Sequence, residues 1–291
     1  MQYMTVRKIL EFVDNRVESG QRTDIDTITT YSGYSRRHIQ RLFCNVTGMS
    51  LGDYIRRRRL TRAALLLRMT RRTLMDIALS LGFDSQQSFN REFRKATGYS
   101  PLQYRLSPFW PLSVLMGRVV YRVEALSEPS VVQMSEGGIS GPEVVSRGCI
   151  PYSPDSGTVE SFVDSVFSQV AADIRPLWVV TETEPDDTEG GDYLVRGGMG
   201  YADEQGDIRH TWKEGLYFRA TFVTSREMHM ESTHHIYLNV LPEYGLNRAP
   251  GPDIMKFCRD GEKIMCTLFI PVSENKHPED GELIKRRRKK K

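Results

Sequence analysis

Two short runs of polar and basic residues have the side chains that contact bases in DNA. The first run contains Arg36, Arg37, Gln40 and Arg41, and the second contains Gln86, Gln87, Ser88, Asn90, Arg91 and Arg94. An arginine can donate two hydrogen bonds to guanine, and a Gln or Asn amide can pair with adenine. We therefore expect these ten residues to contact DNA. The alternative is that they form ordinary solvated faces of two helices.

The two runs belong to a pattern that repeats along the chain. Ser35, Ile39, Phe43 and Gly48 of the first run have counterparts fifty residues later at Ser85, Phe89, Phe93 and Gly98. Before each run lies a Thr-x-x-Asp sequence, which predicts helix caps at Thr23 and Thr73, and then a turn glycine. Ser35 and Ser85 are predicted to start the second helix of each unit. The spacing predicts two helix-turn-helix units, over about 23–48 and 73–98. Repetition within a basic segment favours DNA binding over a solvated surface.

The segment between the two units predicts one long linker helix over about 54–69. Its apolar residues have helical spacing, and its arginines include Arg56, Arg57 and Arg62. We expect these three to contact phosphate, because basic residues beside base-reading helices commonly position the protein on the DNA backbone. A purely solvated arginine face remains the alternative.

The distribution of charge divides the 291-residue chain into unlike parts. Residues 1–107 carry 19 Lys or Arg against 9 Asp or Glu, whereas residues 108–284 carry 14 against 28, and the last seven residues are all basic. A basic front and an acidic rear indicate two modules with different partners. The tail over 275–291 is expected to be disordered and to add non-specific affinity for phosphate.

Several classes of protein do not fit the sequence. The longest apolar stretch, Trp110–Gly117, is too short to span a bilayer, and the N-terminus has the pattern of an amphipathic helix rather than a signal peptide. The four cysteines have no metal-binding spacing, and neither do His229, His234 and His235. We found no catalytic motif and no cofactor fingerprint. The sequence predicts a cytoplasmic, nucleoid-associated protein that is not an enzyme, binds no metal or cofactor, and does not contact a membrane.

The rear of the chain has the pattern of an α+β domain with antiparallel sheets. Prolines predict a joint over 108–118, and the domain is expected over 119–274. Predicted strands cover 119–123, 178–183, 193–196, 217–223 and 265–272, and predicted helices begin near Val159 and Ser225.

The front 107 residues resemble the DNA-binding domain of the AraC/XylS family of bacterial transcription regulators. The stretches Gly33-Tyr34-Ser35, His38–Phe43 and Thr47-Gly48 resemble its first half, and Asp76–Ala78, Phe83–Phe89 and Pro101 resemble its second. The likeness is strongest to the branch that includes Rob, MarA and SoxS. Arg37 stands where that branch usually has Trp, which implies a different recognised sequence.

The rear domain resembles the gyrase-inhibitor-like (GyrI-like) effector-binding domain that follows the DNA-binding part of Rob. The likeness rests on Gly215–Phe222 and Cys266–Val272, and it implies two pseudo-symmetric β-α-β-β halves around a ligand cleft. Thr267 aligns with a position that often carries a carboxylate in that family. The candidate ligand-binding residues are Trp178, Glu182, Tyr193, Trp212, Tyr217, Tyr237, Thr267 and Phe269. The alternative is that the aromatic residues of this set belong to the hydrophobic core and bind no ligand.

Together, these resemblances imply a transcription activator of stress or drug-resistance genes. It would bind double-stranded DNA as a monomer, contact RNA polymerase, and respond to a small molecule or partner at its rear domain. Two other functions stay open: a ligand-binding or sequestering module with accessory DNA binding, and an architectural protein that binds DNA without regard to sequence.

Overall fold

The computed structural model describes residues 2–21, 23–112, 115–119, 125–150, 159–187, 192–202 and 207–274. The predicted basic tail lies outside these residues, and so does the strand predicted over 119–123 beyond its first residue.

The front of the chain is helical, as predicted. Its helices are α1 (Gln2–Glu18), α2 (Ile25–Ser32), α3 (Arg36–Thr47), α4 (Leu51–Met69), α5 (Leu74–Ser80), α6 (Gln86–Thr97) and α7 (Pro101–Leu106). In α1, Val6, Ile9 and Val13 recur at helical spacing and are completely or almost completely buried. Helix α4 begins three residues before the predicted linker helix, because the Ser50 side chain accepts a hydrogen bond from the Asp53 backbone NH and caps it.

A buried polar network fixes α1 against α4. The Tyr54 hydroxyl donates to the Asp14 carboxylate at 2.8 Å, and Arg58 Nε donates to the same carboxylate at 2.7 Å. Arg58 also donates to Glu18 at 3.0 Å. Burial and the adjacent carboxylate raise the pKa of Tyr54, so its hydroxyl remains a donor.

The rear of the chain is an antiparallel sheet with helices. The strands are β1 (Trp110–Pro111), β2 (Ser130–Met134), β3 (Gly137–Ile139), β4 (Val144–Gly148), β5 (Leu177–Pro185), β6 (Tyr193–Gly200), β7 (His210–Trp212), β8 (Gly215–Thr224), β9 (Leu246–Arg248), β10 (Asp253–Asp260) and β11 (Lys263–Glu274). Helix α8 (Val159–Ala172) precedes β5, and α9 (His229–His235) follows β8. The α+β class with antiparallel sheets is therefore confirmed.

The rear of the chain contains two similar successions of strands and a helix. The main sheet runs β1-β9-β11-β10-β5-β6-β4, with β8 pairing β11 and β2, while β3 and β7 form a separate two-stranded sheet. One half follows the order β4-α8-β5-β6, and the other follows β8-α9-β9-β10-β11, in which the three-residue strand β9 comes between the helix and the last two strands. The two halves meet where β5 pairs β10. A pseudo-two-fold relation between these halves stays a prediction.

Two details of the rear differ from the sequence prediction. The helix expected over about 225–241 is shorter, since α9 ends at His235 and continues as a π-helical turn over Ile236–Val240 and a 3-10 turn over Leu241–Tyr244. The sequence prediction also missed strands β1, β2, β3, β4, β7, β9 and β10. Pro242 within the last turn, together with Gly245 at a φ of 62°, prevents the α-helix from continuing.

The hydrophobic core does not divide at the predicted domain boundary. One cluster joins α1, α2, α3 and the start of α4. A second cluster is continuous from the end of α4, through α5, α6 and α7, into α8 and the rear sheet. The expected joint is part of it, since Leu112 and Leu115 are buried and β1 pairs β9. The second half of the front thus packs directly on the rear.

Candidate nucleic-acid interface

Capping residues and a turn glycine between α2 and α3 determine how these two helices are positioned. The Asp24 carboxylate accepts from the Thr27 backbone NH at 2.9 Å and caps α2, and the helix ends at Gly33, whose φ of 71° favours glycine. Ser35 then caps α3. The predicted cap at Thr23 is wrong, because Thr23 is buried and its hydroxyl donates to the Gln21 carbonyl instead.

The same devices position α6 relative to α5. The Thr73 hydroxyl accepts from the Asp76 backbone NH at 3.1 Å, as the sequence predicted. The chain turns at Gly82, with a φ of 73°, and Ser85 caps α6 by accepting from the Ser88 backbone NH. Phe89 and Phe93 are completely buried beneath α6. The opposite face of α6 therefore points away from the core.

On α3, the predicted DNA-contacting residues share the exposed face. Arg37, Gln40 and Arg41 are exposed and, within the residues that the structure describes, have no hydrogen-bond or ion-pair partner. Arg36 is also exposed, but its Nη2 donates to Asp26 at 2.8 Å. Three free side chains thus project from this face, and Arg36 is tied to α2.

On α6, the predicted residues divide by exposure. Gln87, Arg91 and Arg94 are exposed and have no polar partner in the described ranges. Gln86, Ser88 and Asn90 are half-buried, and the Ser88 hydroxyl donates to the Ser85 carbonyl at 2.8 Å. Lys95 is exposed on the same helix and was not among the predicted residues, although its position next to Arg94 could have suggested it.

The three arginines expected to contact phosphate lie in different environments. Arg57 is exposed, and Arg56 is half-exposed in an ion pair with Asp53 at 2.7 Å. Arg62 is only 8% exposed and lines a cavity between α4 and the rear of the chain. A buried guanidinium cannot reach the DNA backbone, so the prediction for Arg62 does not agree with the structure. The rear of the chain covers the face of α4 that carries it.

The candidate ligand-binding residues of the rear do not form one site. Trp178, Trp212, Tyr217 and Phe269 lie in one small cluster, on the face of the sheet that also carries Thr267. Tyr193 and Tyr237 line the cavity on the opposite face. Glu182 is exposed.

The aromatic residues of the first group are stacked. The Trp178 ring lies 5.7 Å from the Trp212 ring and 6.4 Å from the Phe269 ring, with planes 14° and 12° apart. Lys256 Nζ lies 5.3 Å from the centre of the Trp178 ring. We name Trp178, Trp212, Tyr217, Thr267 and Phe269 the aromatic face.

The described residues contain no group of His, Cys, Asp and Glu arranged to hold a metal ion. His229 is buried among aromatic rings, and this burial lowers its pKa to about 4. Across the same described ranges, no helix has both the length and the apolar composition needed to cross a membrane.

Comparisons with known proteins agree with this geometry. A family of helix-turn-helix domains matches residues 28–107. The right origin-binding protein of Escherichia coli (strain K12) is 43% identical over 289 residues, covering 92% of this chain and 97% of that protein. The chain belongs to the AraC/XylS family of transcription regulators, in its Rob-like branch.

Two further relatives show how far the AraC/XylS likeness extends. The F1 operon positive regulatory protein of Yersinia pestis is 33% identical over 276 residues, covering 94% of this chain and 89% of that protein. The regulatory protein SoxS of Salmonella typhimurium is 43% identical over 100 residues, covering 34% of this chain and 92% of SoxS. The chain is therefore a DNA-binding transcription regulator, and the likeness to long relatives includes its rear.

Proposed function

We propose that this regulator binds double-stranded DNA as a monomer, with α3 and α6 as recognition helices in two successive segments of the major groove. Each helix would present its polar face to base edges, as in other helix-turn-helix proteins. Helix α4 has 19 residues and is therefore about 28 Å long. A linker of that length suits two recognition helices placed about one DNA turn, roughly 34 Å, apart.

The observation that carries this proposal is the pair of free polar faces on α3 and α6. Arg37, Gln40 and Arg41 on one helix, and Gln87, Arg91 and Arg94 on the other, are solvent-exposed donors with no partner among the described residues. Both faces lie on one chain, so a second copy is not needed to contact two groove segments. Arg57 would contact phosphate and fix the register.

Activation is the direction of regulation that we propose. The Yersinia pestis relative is by name a positive regulatory protein. An activator bound beside a promoter would contact RNA polymerase, and the family resemblance suggests stress or drug-resistance genes as targets. The protein would act in the cytoplasm, on the nucleoid.

The rear would be a GyrI-like domain that binds an effector at the aromatic face. Stacked rings with a lysine above them suit a flat apolar molecule. Thr267 bears no charge and lies 3.0 Å from the Thr221 hydroxyl, so this position offers no carboxylate for a cation. A flat effector without a positive charge therefore fits better than a cationic one.

The experiment that tests DNA recognition is selection of bound sequences from a random duplex pool, with the full chain at near-physiological salt. We expect a motif with two conserved blocks about one helical turn apart. Binding without enrichment would support the architectural function instead. Absence of DNA binding would support the ligand-sequestering function.

A further inference from the structure

Residues 115–119, which we name the strap, run between the first half of the front and the rear of the chain. On the front side, the Met116 backbone NH donates to the Thr61 hydroxyl of α4 at 2.9 Å. The Met116 carbonyl accepts from Arg58 Nη1 of the same helix at 2.8 Å. Thr61 and Arg58 are almost completely buried. The backbone of the strap is therefore fixed on α4.

Arg118 attaches the strap to α1 as well. Its Nε donates to the Glu18 carboxylate at 3.0 Å, and its Nη2 donates to the other oxygen of that carboxylate. Two parallel bonds from one guanidinium fix the direction of approach as well as the distance. Glu18 also accepts from Arg58, so the strap, α1 and α4 share one network. These two helices pack in one hydrophobic cluster with α3.

The rear of the chain holds the other side of the strap. The Gly117 backbone NH donates to the Leu238 carbonyl at 2.9 Å, and Asn239 Nδ2 donates to the Arg118 carbonyl at 3.4 Å. Leu238 and Asn239 belong to the π-helical turn Ile236–Val240. Such turns are frequently found at functional positions of helices. The strap is thus bound on one side by the front and on the other by this turn.

The contact at Gly117 is too close for any side chain. A Cβ atom there would lie 2.0 Å from Asn239 Oδ1 and 2.9 Å from Leu238 Cβ. Gly117 does not have a positive φ, so its backbone angles do not demand glycine. The close approach of the π-helical turn is therefore what requires a glycine at this position.

The two helix-turn-helix units are joined to the rear in different ways. The second unit shares a continuous hydrophobic core with the rear sheet, and Leu115 of the strap belongs to that core. The first unit has a core of its own, against which Met116 and Val119 of the strap pack. Like α4, the strap therefore contributes to both cores. Its contacts are suited to fix the position of the first unit relative to the second.

We propose that Gly117, Arg118 and Asn239 are positioning residues for DNA recognition, because the strap holds α3 at a fixed distance and angle from α6. None of the three would touch DNA. A displacement of the π-helical turn would pass through the strap to α1 and α4, and would change the placement of α3. The inference rests on the proposed recognition by α3 and α6, but the separation of these helices can be measured without DNA.

The distance between spin labels on α3 and α6 tests the proposal directly. Cys44 is exposed on α3 and Lys95 is exposed on α6, so Cys44 and Lys95→Cys would carry the labels in the full-length protein. Cys149 and Cys258 would be replaced by serine, and Cys266 is buried. Pulsed electron paramagnetic resonance should give a single narrow distribution of distances when the strap is intact.

Two variants release the strap from opposite sides. Gly117→Ala pushes it away from the π-helical turn, and Arg118→Gln detaches it from α1. Each should broaden the distance distribution or shift its mean. Arg7→Gln also breaks an Arg–Glu pair of α1, with Glu11 and away from the strap, and this matched control should leave the distribution unchanged.

An unchanged distribution in Gly117→Ala would overturn the proposal, even if the variant had a lower Tm, because the strap would then contribute to stability alone. Asn239→Ala removes the hydrogen bond to the strap without crowding it, and should change the distribution in the same direction to a smaller extent. It provides the test if Gly117→Ala does not fold, and an unchanged distribution would then overturn the proposal.

Selection from a random duplex pool shows whether the placement of α3 matters for recognition. The wild type should select two blocks at one spacing. Gly117→Ala and Arg118→Gln should accept a wider range of spacings with unchanged base preference in each block, because neither residue would contact a base. Absence of a two-block motif in the wild type would contradict the proposed function itself. A two-block motif with the same spacing in every variant would contradict only the role of the strap.

Discussion

Arg41 of α3 and Arg91 of α6 occupy the same position in two helices of the same length. Each lies two residues after a completely buried residue, Ile39 or Phe89, and each is exposed with no polar partner among the described residues. One chain thus presents two equivalent guanidinium groups at the surface. Because the faces around them differ in sequence, with Gln40 on one helix and Gln87 on the other, the two helices are expected to prefer different bases.

The first prediction concerns these two arginines. Arg41→Ala and Arg91→Ala should each weaken binding to the selected DNA site by about 1–3 kcal/mol, since each would remove a proposed contact to a base edge. Fluorescence anisotropy measures the affinity of each variant for the selected site and for a scrambled duplex. Equal losses on both duplexes would mean that the arginines contact only phosphate.

Arg57 should behave differently, because we propose that it contacts phosphate. Arg57→Ala should weaken binding to the selected and the scrambled duplex alike, and should reduce the slope of log affinity against log salt by about 1. Lys263→Ala, on a rear hairpin, removes one exposed positive charge and is the control. A salt slope that is the same in Arg57→Ala and the wild type would contradict the assignment.

Gly33, the turn glycine of the first helix-turn-helix unit, should contribute to stability only because glycine tolerates its backbone conformation. Gly33 has a φ of 71° and open space around its Cα, so Gly33→Ala should destabilise the fold by about 1 kcal/mol through backbone strain. Gly52 lies within α4, also in open space, and Gly52→Ala should stabilise by about 0.5–1 kcal/mol. Urea unfolding distinguishes them. If both variants changed the free energy of unfolding in the same direction, the left-handed conformation at Gly33 would not explain its effect.

His229 should make the protein less stable in mild acid. Its pKa is about 4 in the folded state against 6.5 in the unfolded chain, so the unfolded state binds more protons between these values. Stability is therefore retained above about pH 6.5 and falls as the pH drops towards 4, with a loss from this group of about 2 kcal/mol between pH 7 and pH 5. His229→Gln should lack this part of the dependence, and urea unfolding at the two pH values measures the difference. Identical dependence in both proteins would contradict the burial of a neutral imidazole.

The front could be predicted from sequence to a greater extent than the rear. Ser35, Thr73 and Ser85 cap helices as predicted, because a cap is a local interaction between neighbouring residues. Strand β10 was missed because both of its faces are covered, with Ile254 on one side of the sheet and Phe257 on the other. A strand buried on two faces has no clear alternation of apolar and polar residues.

Arg62 shows what sequence periodicity could not reveal about the candidate sites. The basic residues of α4 predicted an outer face, yet Arg58 and Arg62 are buried one turn apart. Arg58 is buried because Asp14, far away in sequence, is its partner, and Arg62 because the rear of the chain covers α4. Both causes are tertiary contacts. The candidate aromatic residues of the rear divide between the two faces of the sheet, and this division depends on a strand register that the sequence does not determine.

The most direct test of the central claim is to compare the base preferences of two double variants. Selection from the random duplex pool would be repeated with Gln40→Ala/Arg41→Ala and with Gln87→Ala/Arg91→Ala, beside the wild type. We predict that each variant loses preference in one block of the motif and retains the other, because in the proposed binding mode each recognition helix contacts its own groove segment. Loss of both blocks in each variant, or of neither, would contradict recognition by two separate helices of one chain.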